Sequence, residues 1–289
     1  MKPFLHRLYR AVLRVVPSCV TQTQAVAFNM FFAFFPMLLL VLGAALGSVR
    51  FQQAFLGIIV RMRLVLPPGS FTILNSFVSR HSFHPWRWIA LGLGGTLLAG
   101  TQMMKLMMEG FRMVYGDRQR QGFLSRHLRA LLLLSATLVP SVLTVNLIVF
   151  GRQVRGWMLH VSSMPVLIRL VWSAAYVAAS LLIAMSVLSI IYRVGRPGPQ
   201  RWASVVPGAA VATVLWWVVS IALGFYLRYV PYSIVYGGLA VTVGLMIWMQ
   251  LTATILLIGA AYNAELLISD SQMIENRIFR SNSRTDFVP

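Results

Sequence analysis

Of 289 residues, 58% are hydrophobic and only 11% are charged, whereas a soluble domain carries about a quarter charged residues; this is too few to coat a water-facing surface. The apolar runs are continuous rather than alternating, which excludes a membrane β-barrel and leaves an all-α bundle, since helices satisfy their backbone N–H and C=O groups internally in hydrocarbon. The formal charge of +19, from 25 Lys and Arg against six acids, is spread over short connections, so it reads as placement at anionic headgroups and not as a nucleic-acid-binding face.

Residues 1–24 form a basic arm with Lys2, Arg7, Arg10 and Arg14. It is similar in charge to the start of a signal peptide, but no small-residue cleavage site follows, so the first span is expected to be retained. Cys19, the sole cysteine, has no intramolecular disulfide partner and reads as a small apolar filler. A span needs about 20 apolar residues. Six stretches have that length: Ala25 to Val49, Trp88 to Met108, Leu128 to Phe150, Val166 to Tyr192, Val205 to Leu227 and Leu239 to Leu267. Residues 25–267 are therefore expected to be a six-span membrane domain, followed by a polar tail over 268–289.

The connection from Arg50 to Arg87 carries Phe51, Phe55, Ile58, Ile59, Met62 and Leu66 at helical spacing, then a Pro67-Pro68-Gly69 stop and a second apolar set from Phe71 to Val78. This predicts two amphipathic helices on the outer side, in the interface or folded back on the bundle. His81 and His84, near Trp86 and Trp88, read as an interfacial belt; with no carboxylate beside them, a metal site is the lesser alternative. Within the spans, Gly43 and Gly47 form a small-xxx-small pair, and Gly92, Gly94, Gly95 and Gly100 are expected to clear one surface of the second span for close packing. Pro36 and Pro140 remove backbone donors, which makes them candidate hinges, with packing kinks as the equal alternative.

The arginines and lysines divide unevenly between the two sides. One side holds fifteen, in the arm, in the second and fourth connections and in the tail, and the other holds eight, with Lys105 and Arg169 inside spans. The positive-inside bias places both termini in the cytoplasm.

Polar residues inside spans are costly in hydrocarbon and mark candidate functional positions. Lys105 and Glu109 stand four apart and could pair, but both lie near the cytoplasmic end of the span, where snorkelling is cheap, and the structural reading leads. Asn146 and Gln250 lie deeper, as interhelical hydrogen bonds or polar substrate contacts. Asn263 and Glu265 follow near the end of the last span. Arg228 with Tyr226, Tyr232 and Tyr236 forms an aromatic and basic cluster at the outer end of the fifth and sixth spans, either a site or an ordinary interfacial anchor.

No fixed repeat stands out; the Gly-rich stretches around Gly92 to Gly100 and Gly237 to Gly244 are a faint trace of an inverted repeat. Gly92-Leu93-Gly94-Gly95 lacks the Lys-Ser/Thr of a P-loop, and no nucleotide or other cofactor is expected.

Three stretches resemble the YihY/BrkB family of bacterial inner-membrane proteins, some of which carry the older name ribonuclease BN. They are Gln24 to Phe28 with Phe31 to Leu40; Val206-Pro207-Gly208-Ala209 with Leu215-Trp216 and Gly224 to Leu227; and Tyr232 to Leu239 continuing through Ile247-Trp248 to Ala260. The resemblance implies six spans in an inner membrane. It also implies an acid before an Asn near the end of the last span, where this chain has Ala261 ahead of Asn263, and an Asn after the second span that has no clear counterpart here. RNA hydrolysis needs a clustered acid, base or metal set, and the six acids and five histidines are scattered. The expectation is a non-enzymatic protein that transports, or helps to transport, an anionic or amphipathic envelope component. Its partners would be membrane lipids, chiefly anionic, and either further copies of itself or an envelope complex in which it is an accessory subunit.

Overall fold

A computed structural model describes residues 2–46, 85–117, 122–138, 165–196, 200–229 and 239–285. Among them every regular element is helical: α1 (Lys2–Ser18), α2 (Val20–Leu46), α3 (Pro85–Tyr115), α4 (residues 123–138), α5 (Pro165–Gly195), α6 (Trp202–Tyr229) and α7 (Leu239–Thr285). The expected helices of the first external connection lie outside the described residues, apart from Pro85 to Arg87, which already belong to α3.

Among the described residues, four helices are long and apolar enough to cross a membrane: α2 over Val20–Leu40, α5 over Leu170–Gly195, α6 over Trp202–Leu227 and α7 over Thr242–Ser269. α3 has the length, at 31 residues, but Arg87, Lys105, Glu109 and Arg112 lower its hydropathy. Several boundaries differ from expectation: α3 extends to Tyr115, α7 runs on to Thr285 through most of the expected tail, and two more differences lie at the start of the chain. α2 starts five residues before Ala25 because the Thr23 hydroxyl donates to Val20 O at 2.8 Å, closing the first turn from within. The basic arm is itself helical, and only Cys19 interrupts it from α2.

Large apolar side chains sit on the outside of these helices. Leu98 is 78% exposed, Leu182 and Val214 are 58% exposed and Phe32 is 56% exposed, a perimeter that suits lipid and would not persist in water. α7 differs from its neighbours: 44% of its apolar window is buried, against 12% for α5 and 11% for α6. It is the element on which others pack, with α6 and α1 against it and α5 against α6.

The chain divides into two compact units, Asn29–Met103 on one hand and Met1–Phe28 with Met104–Pro289 on the other. In the smaller unit, α2 and α3 meet through glycine. A Cβ on Gly92 would lie 2.7 Å from the backbone Cα of Leu40, and one on Gly95 would lie 2.7 Å from Pro36 Cβ. Pro36 is thus a packing surface as well as a break in the hydrogen-bond ladder. Gly94 departs from expectation: nothing lies within 4 Å of its added Cβ, so it points away from the surface that Gly92 and Gly95 clear. The hydroxyls of Thr96 and Thr101 are buried here without a hydrogen-bond partner.

Candidate functional site

The larger unit carries the polar residues, and its tightest point is the crossing of α5, α6 and α7. Pro207 removes one backbone donor from the first turns of α6. Asn263 of α7, fully buried, inserts its amide there: Oδ1 accepts from Gly208 N at 2.7 Å and Nδ2 donates to Val205 O at 3.0 Å. A buried amide is tolerated only when its groups are paired, and the backbone of α6 supplies both partners. Glycine makes the approach possible. A Cβ on Gly208 would overlap Gly259 O and lie 2.5 Å from Asn263 Cγ, and one on Gly259 would overlap the Tyr192 hydroxyl. That hydroxyl donates to Leu256 O at 2.9 Å, tying α5 to α7.

Charges gather at the neighbouring helix ends. Gly116 ends α3 in the left-handed conformation, φ 69°, and Asp117 N then bonds back to Arg112 O at 3.0 Å, a glycine-terminated cap. The Asp117 carboxylate is thereby aimed at Arg196, which donates to it through Nε at 2.8 Å and a terminal nitrogen at 3.3 Å. The same guanidinium lies 4.3 Å from the centre of the Tyr115 ring. The Tyr115 hydroxyl is buried and finds no hydrogen-bond partner in place among the described residues, although the Asn263 amide, with a second N–H to give, lies beside it. Burial pushes its pKa up to about 12, with Arg196 and Asn263 opposing and Asp117 adding.

Lys105 and Glu109 do not pair with each other. Glu109 is held by Arg112 at 3.0 Å and by Arg126 of α4 at 3.3 Å, while Lys105 Nζ donates to His127 Nε2. The tautomer this requires is fixed by His127 Nδ1 donating to Phe123 O at 2.9 Å. α4 supplies better partners than the i, i+4 neighbour because it meets both residues. Gln250 Nε2 donates to Thr23 Oγ1 at 2.9 Å, an interhelical bond between α7 and α2. Glu265, with its side chain 10% exposed, pairs with Arg14 of α1 at 3.1 Å. Tyr226 and Arg228 fall near the end of α6, whereas Asn146, Pro140, Tyr232 and Tyr236 lie outside the described residues. Cys19 is buried, as a filler should be, and burial raises its thiol pKa.

A cavity of about 530 Å³ opens between α5, α6 and α7, near the middle of their apolar lengths. Its wall includes Ile183, Ala184 and Val187 of α5, Ala212 and Trp216 of α6, and Trp248 of α7. Several of its polar atoms are engaged with protein. Trp216 Nε1 donates to Thr252 Oγ1 at 3.2 Å, and Thr252 in turn donates to Trp248 O at 2.8 Å. Trp248 Nε1 donates to Ser220 Oγ at 3.3 Å, and Thr213 Oγ1 donates to Ala209 O at 2.8 Å. No charged side chain lines the cavity.

The close approach of Gly208 and Gly259 joins two of the stretches that carry the family resemblance. A family model described as virulence factor BrkB matches residues 18–277. The chain belongs to that family. It is 26% identical over 179 residues to the ribonuclease-like protein YfkH of Bacillus subtilis (strain 168), a match covering 62% of this chain and 65% of that one. It is 23% identical over 256 residues to the UPF0761 membrane protein azo3165 of Azoarcus sp. (strain BH72), covering 86% of this chain and 60% of that one. A third relative, the UPF0761 membrane protein Smlt0865 of Stenotrophomonas maltophilia, is 26% identical over 148 residues, covering 51% and 32%. The matches thus span less than two thirds of each relative's length. No solved structure matches. Ala261, where the family resemblance implied an acid, is fully buried, and the next carboxylate along α7 is that of Glu265, one turn on and bound to Arg14.

What the sequence could not supply was the partner of each polar residue. Asn263 and Gly208 are 55 positions apart, and Thr23 and Gln250 are 227 apart. The available signal was Gly208 itself, a small residue inside an apolar helix that lets another helix approach closely.

Proposed function

We propose that this member of the BrkB family is a six-span inner-membrane protein with both termini in the cytoplasm, which moves, or helps to move, an amphipathic envelope component with an anionic head. It acts without covalent chemistry and without a cofactor. The observation that carries this reading is the cavity of about 530 Å³ between α5, α6 and α7, a volume within the range of about 300–1,000 Å³ that encloses small ligands. Its wall suits hydrocarbon rather than a headgroup, because its charge is nil and its indole and threonine groups are already bonded. The anionic head is favoured by the excess of arginine on one side, fifteen basic residues against eight.

Reconstitution into liposomes with fluorescent phosphatidylglycerol tests it, transbilayer movement being read by chemical quenching of the outer leaflet. Active wild type and an Ala184→Phe variant that keeps its fold but loses most of the rate are expected. An unchanged transbilayer distribution with folded wild-type protein would sink the reading.

A second reading, an accessory subunit of an envelope complex, draws on the open helix surface at Gly94, flanked by exposed Leu91 and Leu98. It predicts a stoichiometric partner in mild detergent that Gly94→Leu releases. A nuclease suits the residues poorly: Glu109, Asp117 and Glu265 are each held by arginine, and among the described residues no three His, Cys, Asp or Glu side chains come together.

A further inference from the structure

The basic arm is expected from its sequence only to carry charge, yet α1 presents three different surfaces. At about 100° per residue, Ala11 and Val15 fall on one side, where both are buried and where α1 packs on α7. Arg7, Arg10 and Arg14 fall together on a second side, and Arg14, nearest α7, reaches Glu265 at 3.1 Å. Leu5, Tyr9, Leu13 and Val16 fall on the third, within an arc of about 80°. They are 59%, 62%, 51% and 50% exposed.

Four large apolar side chains in one exposed stripe are costly in water, since each fully buried one would contribute about 1.5–3 kcal/mol. Two observations say what covers them. α1 ends at Ser18 and α2 begins at Val20, the first residue of an apolar window long enough to span a bilayer, so the end of α1 stands at the edge of the hydrocarbon. The exposed stripe is also flanked by the exposed cation Arg10, about 60° from its edge, the pairing of apolar and basic faces that marks a helix lying in a membrane interface.

We infer that α1 is an interfacial helix that holds an anionic bilayer surface: Leu5, Tyr9, Leu13 and Val16 enter the boundary between headgroups and acyl chains, Arg10 contacts lipid phosphates, and Ala11 and Val15 anchor the helix to α7. This does not depend on any transport activity, so it stands or falls separately from the function proposed above.

The test uses the full chain in nanodiscs, with Cys19 replaced by Ala and a single cysteine introduced at position 9, 13 or 10 to carry a fluorophore. Nitroxide-bearing phosphatidylglycerol, nitroxide-bearing phosphatidylcholine and aqueous iodide serve as quenchers. Labels at 9 and 13 are expected to be quenched by lipid and shielded from iodide, whereas the label at 10 reports the headgroup level and is reached by iodide. Phosphatidylglycerol should quench more strongly than phosphatidylcholine, and Arg10→Gln should reduce that preference about fivefold, the equivalent of about 1 kcal/mol per interfacial cation. Quenching of positions 9 and 13 by iodide and not by lipid overturns the inference. Shielding of both positions from lipid and iodide alike also overturns it, since a protein, a second copy or another partner, then covers the stripe. Equal quenching by the two lipids, unmoved by the arginine substitution, overturns the anionic half.

Discussion

Between Gly208 and Gly259 the helices α6 and α7 close until backbone nears backbone, whereas a few turns along the same helices, between Ala184, Trp216 and Trp248, they enclose a cavity of about 530 Å³. The two levels share Ala212, whose methyl would meet a Cβ on Gly259 at 2.7 Å and which also lines the cavity. Side-chain size accounts for the contrast. Where glycine and alanine face each other, helices approach closely and gain dispersion contacts and interhelical hydrogen bonds, the main sources of association in a lipid solvent. Where two tryptophans face each other, with ring centroids 6.1 Å apart, the helices stay apart and the small residues between them leave room. The closed level therefore fixes the bundle, and the open level is free to hold something.

The sharpest way to break this contrast is to put one methyl into the closed level. Gly208→Ala places a Cβ against Gly259 O, a backbone atom that cannot rotate away. Overpacking of this kind costs about 3 kcal/mol, and in detergent micelles a large drop in the thermal unfolding temperature is expected. Gly94→Ala is the control, because nothing lies within 4 Å; there the helix-propensity gain of about 1 kcal/mol leaves stability unchanged or raised. Equal effects at the two positions would mean that the α6 and α7 crossing is not tight.

Removing the amide tests the same level through its polar bonds. Asn263→Leu keeps the bulk but orphans Gly208 N–H and Val205 C=O. Unpaired buried groups cost about 1–3 kcal/mol in proteins, and less where lipid-embedded partners rearrange, so a loss of about 2 kcal/mol is expected. Asn263→Asp, whose buried carboxyl is protonated, keeps an acceptor for Gly208 and an O–H for Val205 O, and should fall between wild type and the leucine variant. Unfolding measured by steric trapping would order the three.

The helical class and the position of most apolar lengths were legible in composition and run length, because lipid imposes a minimum span on any apolar helix. The function of single residues was less so. Lys105 and Glu109 have the spacing of a pair, and that spacing is real; what it could not convey is that Arg126 and His127 arrive from α4 with stronger claims. Gln250, whose depth suggested an interhelical bond or a substrate contact, makes the bond to Thr23. The helical arm was hidden by its charge: Lys2, Arg7, Arg10 and Arg14 drew the reading toward topology, while Leu5, Tyr9, Leu13 and Val16 repeat at three- and four-residue steps in the same stretch. Gly94 was misread for the reverse reason, since a run of glycines does not say which of them faces the neighbour.

The smallest effect is expected beside the closed level, at Tyr115. Its hydroxyl is buried and unpaired, and its pKa is raised from the ordinary value of 10.0 to about 12. At neutral pH the phenol is protonated in both the folded and the unfolded chain, so its preference for the folded environment is fully present. As the pH rises past about 10, the unfolded chain releases this proton while the folded one keeps it, and stability falls with further increase in pH. Tyr115→Phe removes the titration along with an oxygen that has no partner. The variant should match or slightly exceed wild type in thermal stability at neutral pH, and its stability should decline less steeply above pH about 10. A variant clearly less stable at neutral pH would show that the hydroxyl has a partner after all, the Asn263 amide being the nearest group able to provide one, and the closed level would then be held by one more bond than the geometry assigns.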